Sequence, residues 1–209
     1  MGKRFILAVS ALFWIYGAIL FLALLPAPDA MAHPHVFITQ RLNVFFDEQG
    51  LAGIRVRWDF DDMFAAMIAE DHDLNHNGAL EDNEVREIKD KAFAFIAEYN
   101  YFTFIRIEGQ PLVVKEVTDF TASLKDHRLA YEFTVPCRVQ ATSQFKKVSV
   151  ASYDPTYYTA IMFVDKQPVT VKAAEIFEVK TAVREDPDTK IYYDMIHPWT
   201  LFLEFREKP

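Results

Sequence analysis

The stretch Ile54–Glu84, "IRVRWDFDDMFAAMIAEDHDLNHNGALEDNE", changes its periodicity twice, and those changes decide the fold. Over its first seven residues Ile54, Val56, Trp58 and Phe60 alternate with Arg55, Arg57 and Asp59, as in a strand with one buried face. Then Met63, Phe64, Met67 and Ile68 recur at helical spacing, with Asp61 or Asp62 placed to cap the first turn. From Asp71 to Glu84 neither period holds, and carboxylates and asparagines take over. Helical spacing resumes in "NEVREIKDKAFAFIAEYN", with Val85, Ile88, Ala92, Phe95 and Ile96 as its apolar stripe. The Met and Phe stripes read as core-facing. The sequence therefore predicts a helix–loop–helix over about residues 61–98, following a strand.

The loop carries a specific pattern, D-x-[DN]-x-[DN]-G-x5-E, that of an EF-hand. Asp73, Asn75 and Asn77 fill its first, third and fifth positions, and Gly78 stands at the sharp turn. Ala79 offers a carbonyl, Glu81 occupies the ninth position and Glu84 the twelfth, where a bidentate carboxylate is expected. All are oxygen donors, as a hard cation such as Ca²⁺ requires. Leu80, the apolar eighth residue, normally packs on a second EF loop. No second loop is present, so Leu80 is expected to pack on the sheet or on another copy. With Asn at two ligand positions the charge is low, which suits an affinity of roughly 10⁻⁴ to 10⁻³ M and a structural rather than sensory role. The alternative is a solvated acidic turn.

Around this insert the chain reads as β. "HVFITQRLNVFFDEQGLAGIRVRWDF" is a hairpin punctuated by Gly50 and Gly53. From Tyr101 onward "YFTFIRIEG", "PLVVKEVTDFTA", "RLAYEFTVPCRVQ", "KKVSVASYD", "YTAIMFV", "AAEIFEVKTAV" and "PWTLFLEFR" read as strands. Nineteen Phe, nine Tyr and three Trp favour half-buried sheets. The expected class is α+β: a mostly antiparallel β-sheet or sandwich with an inserted EF-hand-like helix–loop–helix, in one domain over residues 33–209.

Residues 1–32 read as a signal peptide. Lys3 and Arg4 precede the apolar run Phe5–Leu25, and Pro26 and Pro28 precede the small-x-small site Ala30-Met31-Ala32. The run is long enough to span a bilayer, so an uncleaved anchor is the alternative. Both place the rest outside the cytoplasm; cleavage near Ala32 implies a periplasmic or otherwise exported protein. The single Cys137 rules out an internal disulfide and reads as a buried small hydrophobe. A net charge of −8 without a Lys/Arg cluster argues against nucleic acid as a partner.

Cleavage after Ala32 would expose "HPHVF". The amine and imidazole of His33, with His35, suit Cu²⁺, Ni²⁺, Co²⁺ or Zn²⁺. Pro34 lacks an amide N–H, so the full square-planar amino-terminal chelate cannot form. His197 is a candidate third ligand and His127 a poorer one; solvated histidines at a frayed terminus are the alternative. In "SYDPTYY" (Ser152–Tyr158), Asp154-Pro155 marks a turn, and Tyr157 and Tyr158 either form a structural cluster or line a pocket. No nucleophile-elbow motif accompanies Ser152, and no enzyme is expected.

The start "HPHVF", the segment "WDFDDMFAAMIAEDHDLNHNG", "YNYFT" and "SYDPTYY" together resemble, in order, the family catalogued as domain of unknown function 1007. The resemblance implies an exported bacterial protein, described as a periplasmic component of an uncharacterised ABC-type transport system and often accompanying nickel/cobalt-type membrane transporters. The family's loop often has Asp where this chain has Asn75 or Asn77. The expected function is thus that of an exported accessory or binding protein for metal-ion transport, with a membrane metal transporter as partner. The alternative is a calcium-stabilised structural or interaction module with no transported ligand.

Overall fold

The computed structural model describes residues 34–209. The expected signal segment, its expected cleavage site and His33 lie outside the described residues. Strands β1 (Val36–Asp47) and β2 (Gly50–Phe60) form the expected hairpin, paired from Ile38↔Phe60 to Asp47↔Gly50. Gly50 has φ 141°, and a Cβ there would lie 2.4 Å from the Val139 carbonyl, so only glycine fits. Helix α1 (Asp62–His72) follows at once. Its cap is Asp61, whose Oδ1 accepts the N–H groups of Met63 and Phe64, both at 2.9 Å. The other Asp61 oxygen accepts the Phe37 N–H at 2.7 Å, which fastens the helix start to β1.

The second helical segment departs from the expected pitch. It begins as α2 (Asp82–Glu87), widens to a π-helix over Ile88–Phe93, and tightens to 3₁₀ turns over Ala94–Phe102, broken by a kink at Tyr99, Asn100 and Tyr101, the last two at positive φ. A π-turn adds a residue per turn and rotates whatever follows it. Phe93, not Phe95, therefore enters the core: Phe93 is 3% exposed and Phe95 62%. On α1, a regular α-helix, the expected stripe holds at Ile68 and at the partly buried Phe64 and fails at its two methionines. Ala65 and Ile68 are buried, whereas Met63 is 67% exposed and Met67 also faces out.

The remaining strands are β3 (Thr103–Ile107), β4 (Gln110–Leu112), β5 (Thr118–Lys125), β6 (Arg128–Gln140), β7 (Lys146–Ser152), β8 (Thr159–Phe163), β9 (Val169–Lys172), β10 (Phe177–Glu185) and β11 (Trp199–Glu207). One sheet has the order β5-β6-β2-β1-β8, with β9 also paired to β1; the other is β10-β11-β7-β3-β4. Residues of both sheets meet in one hydrophobic core, with Val44, Val56 and Phe133 from the first and Val150, Leu201 and Phe205 from the second. The architecture is an α+β sandwich of mostly antiparallel sheets with a helical insert. The helical insert carries the chain from the first sheet to the second. Two features go beyond the sequence reading. The strand β9 had no counterpart in it, and β8 and β9 lie end to end, parallel to β1.

An aromatic cluster sits beneath the insert. Trp58 packs edge-on to Phe133 at 4.9 Å, and Phe93 lies 4.5 Å from Phe120 and 5.1 Å from Phe133 between ring centres. These geometries suit ring quadrupoles, and the burial they represent dominates the energetics of this end of the sandwich. Leu80 packs against the same core of its own chain. Cys137 is buried on β6, and burial pushes its thiol up to about 11.

Candidate functional site

The loop between α1 and α2 is organised by its own side-chain oxygens. Asp73 closes α1, its N–H bonding to the Ala69 carbonyl at 3.0 Å. Its carboxylate then accepts the N–H of Asn77 at 3.1 Å and of Gly78 at 2.8 Å. The Asn75 carbonyl oxygen accepts the Asn77 N–H at 3.0 Å, and that of Asn77 accepts the Ala79 N–H at 2.8 Å. Asn, Asp and Gly in this order make such turns locally favourable, because short side chains bond the backbone two residues on. Gly78 has φ 79°, the left-handed region where any side chain is strained. Glu84 closes the far end by accepting the N–H groups of Leu74 and Glu81, each at 2.9 Å.

Asp73 is 4% exposed and Glu84 2%. Neither carboxylate has an Arg, Lys or His partner among the described residues; backbone amides donate to both, and Glu84 also interacts with the Glu81 side chain. Two carboxyl groups without a cationic side-chain partner are thus buried at the two ends of one loop. That arrangement is costly unless a cation completes it. Glu81 is half-buried and accepts the side-chain amides of Asn75, at 3.1 Å, and of Asn77. Hydrogen bonding with Glu84, then with Asn77 and Asn75, holds the Glu81 carboxyl below its usual range. No three His, Cys, Asp or Glu side chains converge closely enough to hold a metal ion among the described residues. The loop's other donors are the Asn75 and Asn77 amide oxygens and the Ala79 carbonyl. The complete donor set is oxygen only and fits a hard divalent cation.

The histidine candidates are held apart in their surroundings. The His35 ring packs at a tilt against Tyr158, with ring centres 5.1 Å apart, and its backbone N–H donates to the Tyr158 carbonyl at 2.8 Å. The Nδ1 of His197 lies 2.9 Å from the Thr189 carbonyl and 3.1 Å from that of Asp186. Two carbonyls require Nδ1 to donate, which leaves only Nε2 able to bind a metal. His127 occupies the β5–β6 turn with φ 62°. His72 and His76 flank the loop, as the sequence indicates.

Two pockets adjoin these residues. One, of about 490 Å³, lies between α1, the 3₁₀ segment and the first sheet, and includes Met67, Ile68, Asp71, His72 and Tyr158 in its lining. Its α1 wall ends at His72, one residue before Asp73. The other, of about 670 Å³, includes Ser152, Tyr192, His197 and Trp199. Tyr157 stacks on Tyr192 at 4.2 Å while Tyr158 turns to His35, so the adjacent tyrosines serve different surroundings. Ser152 is buried, and Asp154 accepts from the Thr156 N–H and hydroxyl and from the Thr159 N–H. Asp154 thus braces the turn and orients no histidine. Sequence reasoning missed the first pocket, because the π-turn that shapes its wall leaves no periodic trace.

In sequence the chain is similar to proteins described as of unknown function or uncharacterized. A family profile described as "Protein of unknown function (DUF1007)" matches residues 18–195. An uncharacterized 15.5 kDa protein in the trpE 3′ region of Spirochaeta aurantia is 32% identical over 133 residues, which cover 64% of this chain and 94% of that one. An uncharacterized protein of Haemophilus influenzae is 24% identical over 157 residues, 74% of each chain. No helix among the described residues is long and apolar enough to cross a membrane.

Proposed function

Because the chain belongs to the DUF1007 family of proteins of unknown function, we propose its role from its own residues: an exported binding protein, accessory to metal-ion transport, clamped by one Ca²⁺. The observation that carries the calcium assignment is the pair of buried carboxylates, Asp73 and Glu84, without a cationic partner. Asp73, Asn75, Asn77, Ala79, Glu81 and Glu84 would hold the ion. The ion would stabilise the loop and the α1–α2 junction; no chemical step is assigned to it, and the protein is read as a non-enzyme. Calcium titration by calorimetry tests this. One saturable site with an affinity of roughly 10⁻⁴ to 10⁻³ M is expected; no heat at 10 mM would refute it.

Export and the transport association rest on the amino-terminal sequence and on the family resemblance. In this reading His35 and the Nε2 of His197 would have to join His33 around a transition metal. Amino-terminal sequencing of protein from the exported fraction should begin at His33; retention of Met1 would establish the anchor. A second reading is an interaction module with no transported ligand. The exposed apolar side chains Tyr193, Met195 and Trp199, beside His197, favour it. Titration of cleaved protein with Ni²⁺, Co²⁺, Cu²⁺ and Zn²⁺ separates the two, since the second reading expects no tight site.

A further inference from the structure

We propose that the pocket between α1, the 3₁₀ segment and the first sheet binds a neutral, largely apolar small molecule bearing a hydrogen-bond-accepting oxygen. This goes beyond the calcium reading and does not depend on it. The pocket, of about 490 Å³, has the size of ordinary small-molecule sites. Val36, Ile38, Phe60, Ile68, Phe93 and Phe102 make much of its wall apolar.

Three residues of that wall carry a buried polar atom without a hydrogen-bond partner: Trp58, Tyr131 and, at the end of α1, His72 through its Nδ1, which can either donate or accept. Trp58 is 2% exposed and Tyr131 3%, yet neither the indole N–H nor the phenol oxygen has a hydrogen-bond partner. Buried polar groups are nearly always paired, and one left alone loses its water bonds without return. Both side chains line the same pocket, so its volume is where a partner would sit. An indole N–H can only donate, and a phenol held neutral by burial donates readily. The missing partner is therefore an acceptor. An ammonium offers none. An anion would meet Asp71 and Glu98 in the lining. A carbonyl or ether oxygen on an apolar body offers these donors the acceptor they lack. Met67, Phe95 and Tyr158 are exposed and line the pocket, giving it an apolar mouth.

The test uses the full chain and Nile red, a neutral apolar dye with a carbonyl, followed by displacement with 1-tetralone or tetralin. These two differ by one carbonyl oxygen, and simple partition into apolar surroundings favours tetralin. The expected result is saturable dye binding, with 1-tetralone displacing at a concentration at least about fivefold lower than tetralin. Tyr131→Phe and Trp58→Phe should each shrink that ratio, and Tyr131→Phe should not lower the melting temperature, because it deletes an unpaired polar group. Ala92→Phe, on the pocket wall, should weaken dye binding. Dye that never saturates, tetralin displacing as well as the ketone, or a ratio unchanged in both ring variants would each overturn the proposal.

Discussion

Glu84 Oε1 accepts the backbone N–H of Leu74 at 2.9 Å, ten residues back, while its other oxygen accepts the N–H of Glu81 at 2.9 Å. One buried carboxylate thus joins the end of the loop to its beginning. Glu84→Ala should cost about 2–3 kcal/mol even without calcium, since two charge-assisted bonds are lost and two amides stranded. With Asp73→Ala added, calcium stabilisation should vanish. At 10 mM Ca²⁺ the unaltered protein should gain about 1.4–2.7 kcal/mol by mass action. Urea melts with and without Ca²⁺ check both; an equal calcium gain in the double variant would sink the assignment.

The π-turn makes a contrast between near neighbours. Phe93→Ala removes a ring packed against Phe120 and Phe133 and should cost about 3–5 kcal/mol. Phe95→Ala removes an exposed ring and should fall within about 0.5 kcal/mol. Denaturant midpoints of the two variants decide; similar losses would mean a regular α-helical stripe.

Asp61 both caps α1 and holds β1 through the Phe37 N–H. Asp61→Ala should therefore exceed a simple cap loss and reach about 2–3 kcal/mol. Asp62→Ala, one residue on, should change little. Equal effects would place the cap at Asp62.

Burial raises the Cys137 thiol to about 11. The folded state then holds its proton where the unfolded chain releases it. This contribution is intact below roughly pH 8.5 and declines as the pH rises toward 11. Cys137→Ala should flatten the stability profile over that alkaline window. At pH 8 a disulfide reagent should label the native thiol at least about a hundredfold more slowly than the urea-unfolded one. Comparable rates would place the thiol at the surface.

The reach of the sequence follows from what each signal measures. The first hairpin, the Asp61 cap and the position of the loop are local, and period, cap and turn chemistry display them directly. Most later strands alternate clearly enough to read. "VTVK" at Val169–Lys172 is too short, and its partner Leu42–Phe45 too distant, for any window to reveal the pairing. Pitch is equally silent: nothing in "IKDKAF" announces a π-helix, so Phe95 read as core and Phe93 did not. Met63 fits a helical stripe but faces outward, because periodicity gives spacing and not which face the sheet covers. At the loop, the donor types and spacing were readable; that Asp73 and Glu84 are buried without cations required the fold. His33 falls outside the described residues, so its part in any metal site rests on sequence alone.

The end-to-end seating of β8 and β9 along β1 sets an order of events. Val36 pairs with Thr159, and Val44 with Val171, so the first strand made is among the last to be completed. Until those segments emerge, β1 presents a bare edge on the side away from β2, an open template for other chains. Loop closure over such a span is slow. A chain ending near Asp165 would leave half of that edge permanently uncovered and should associate where the whole chain does not. The same slowness keeps the sandwich from locking until nearly all of the chain is present.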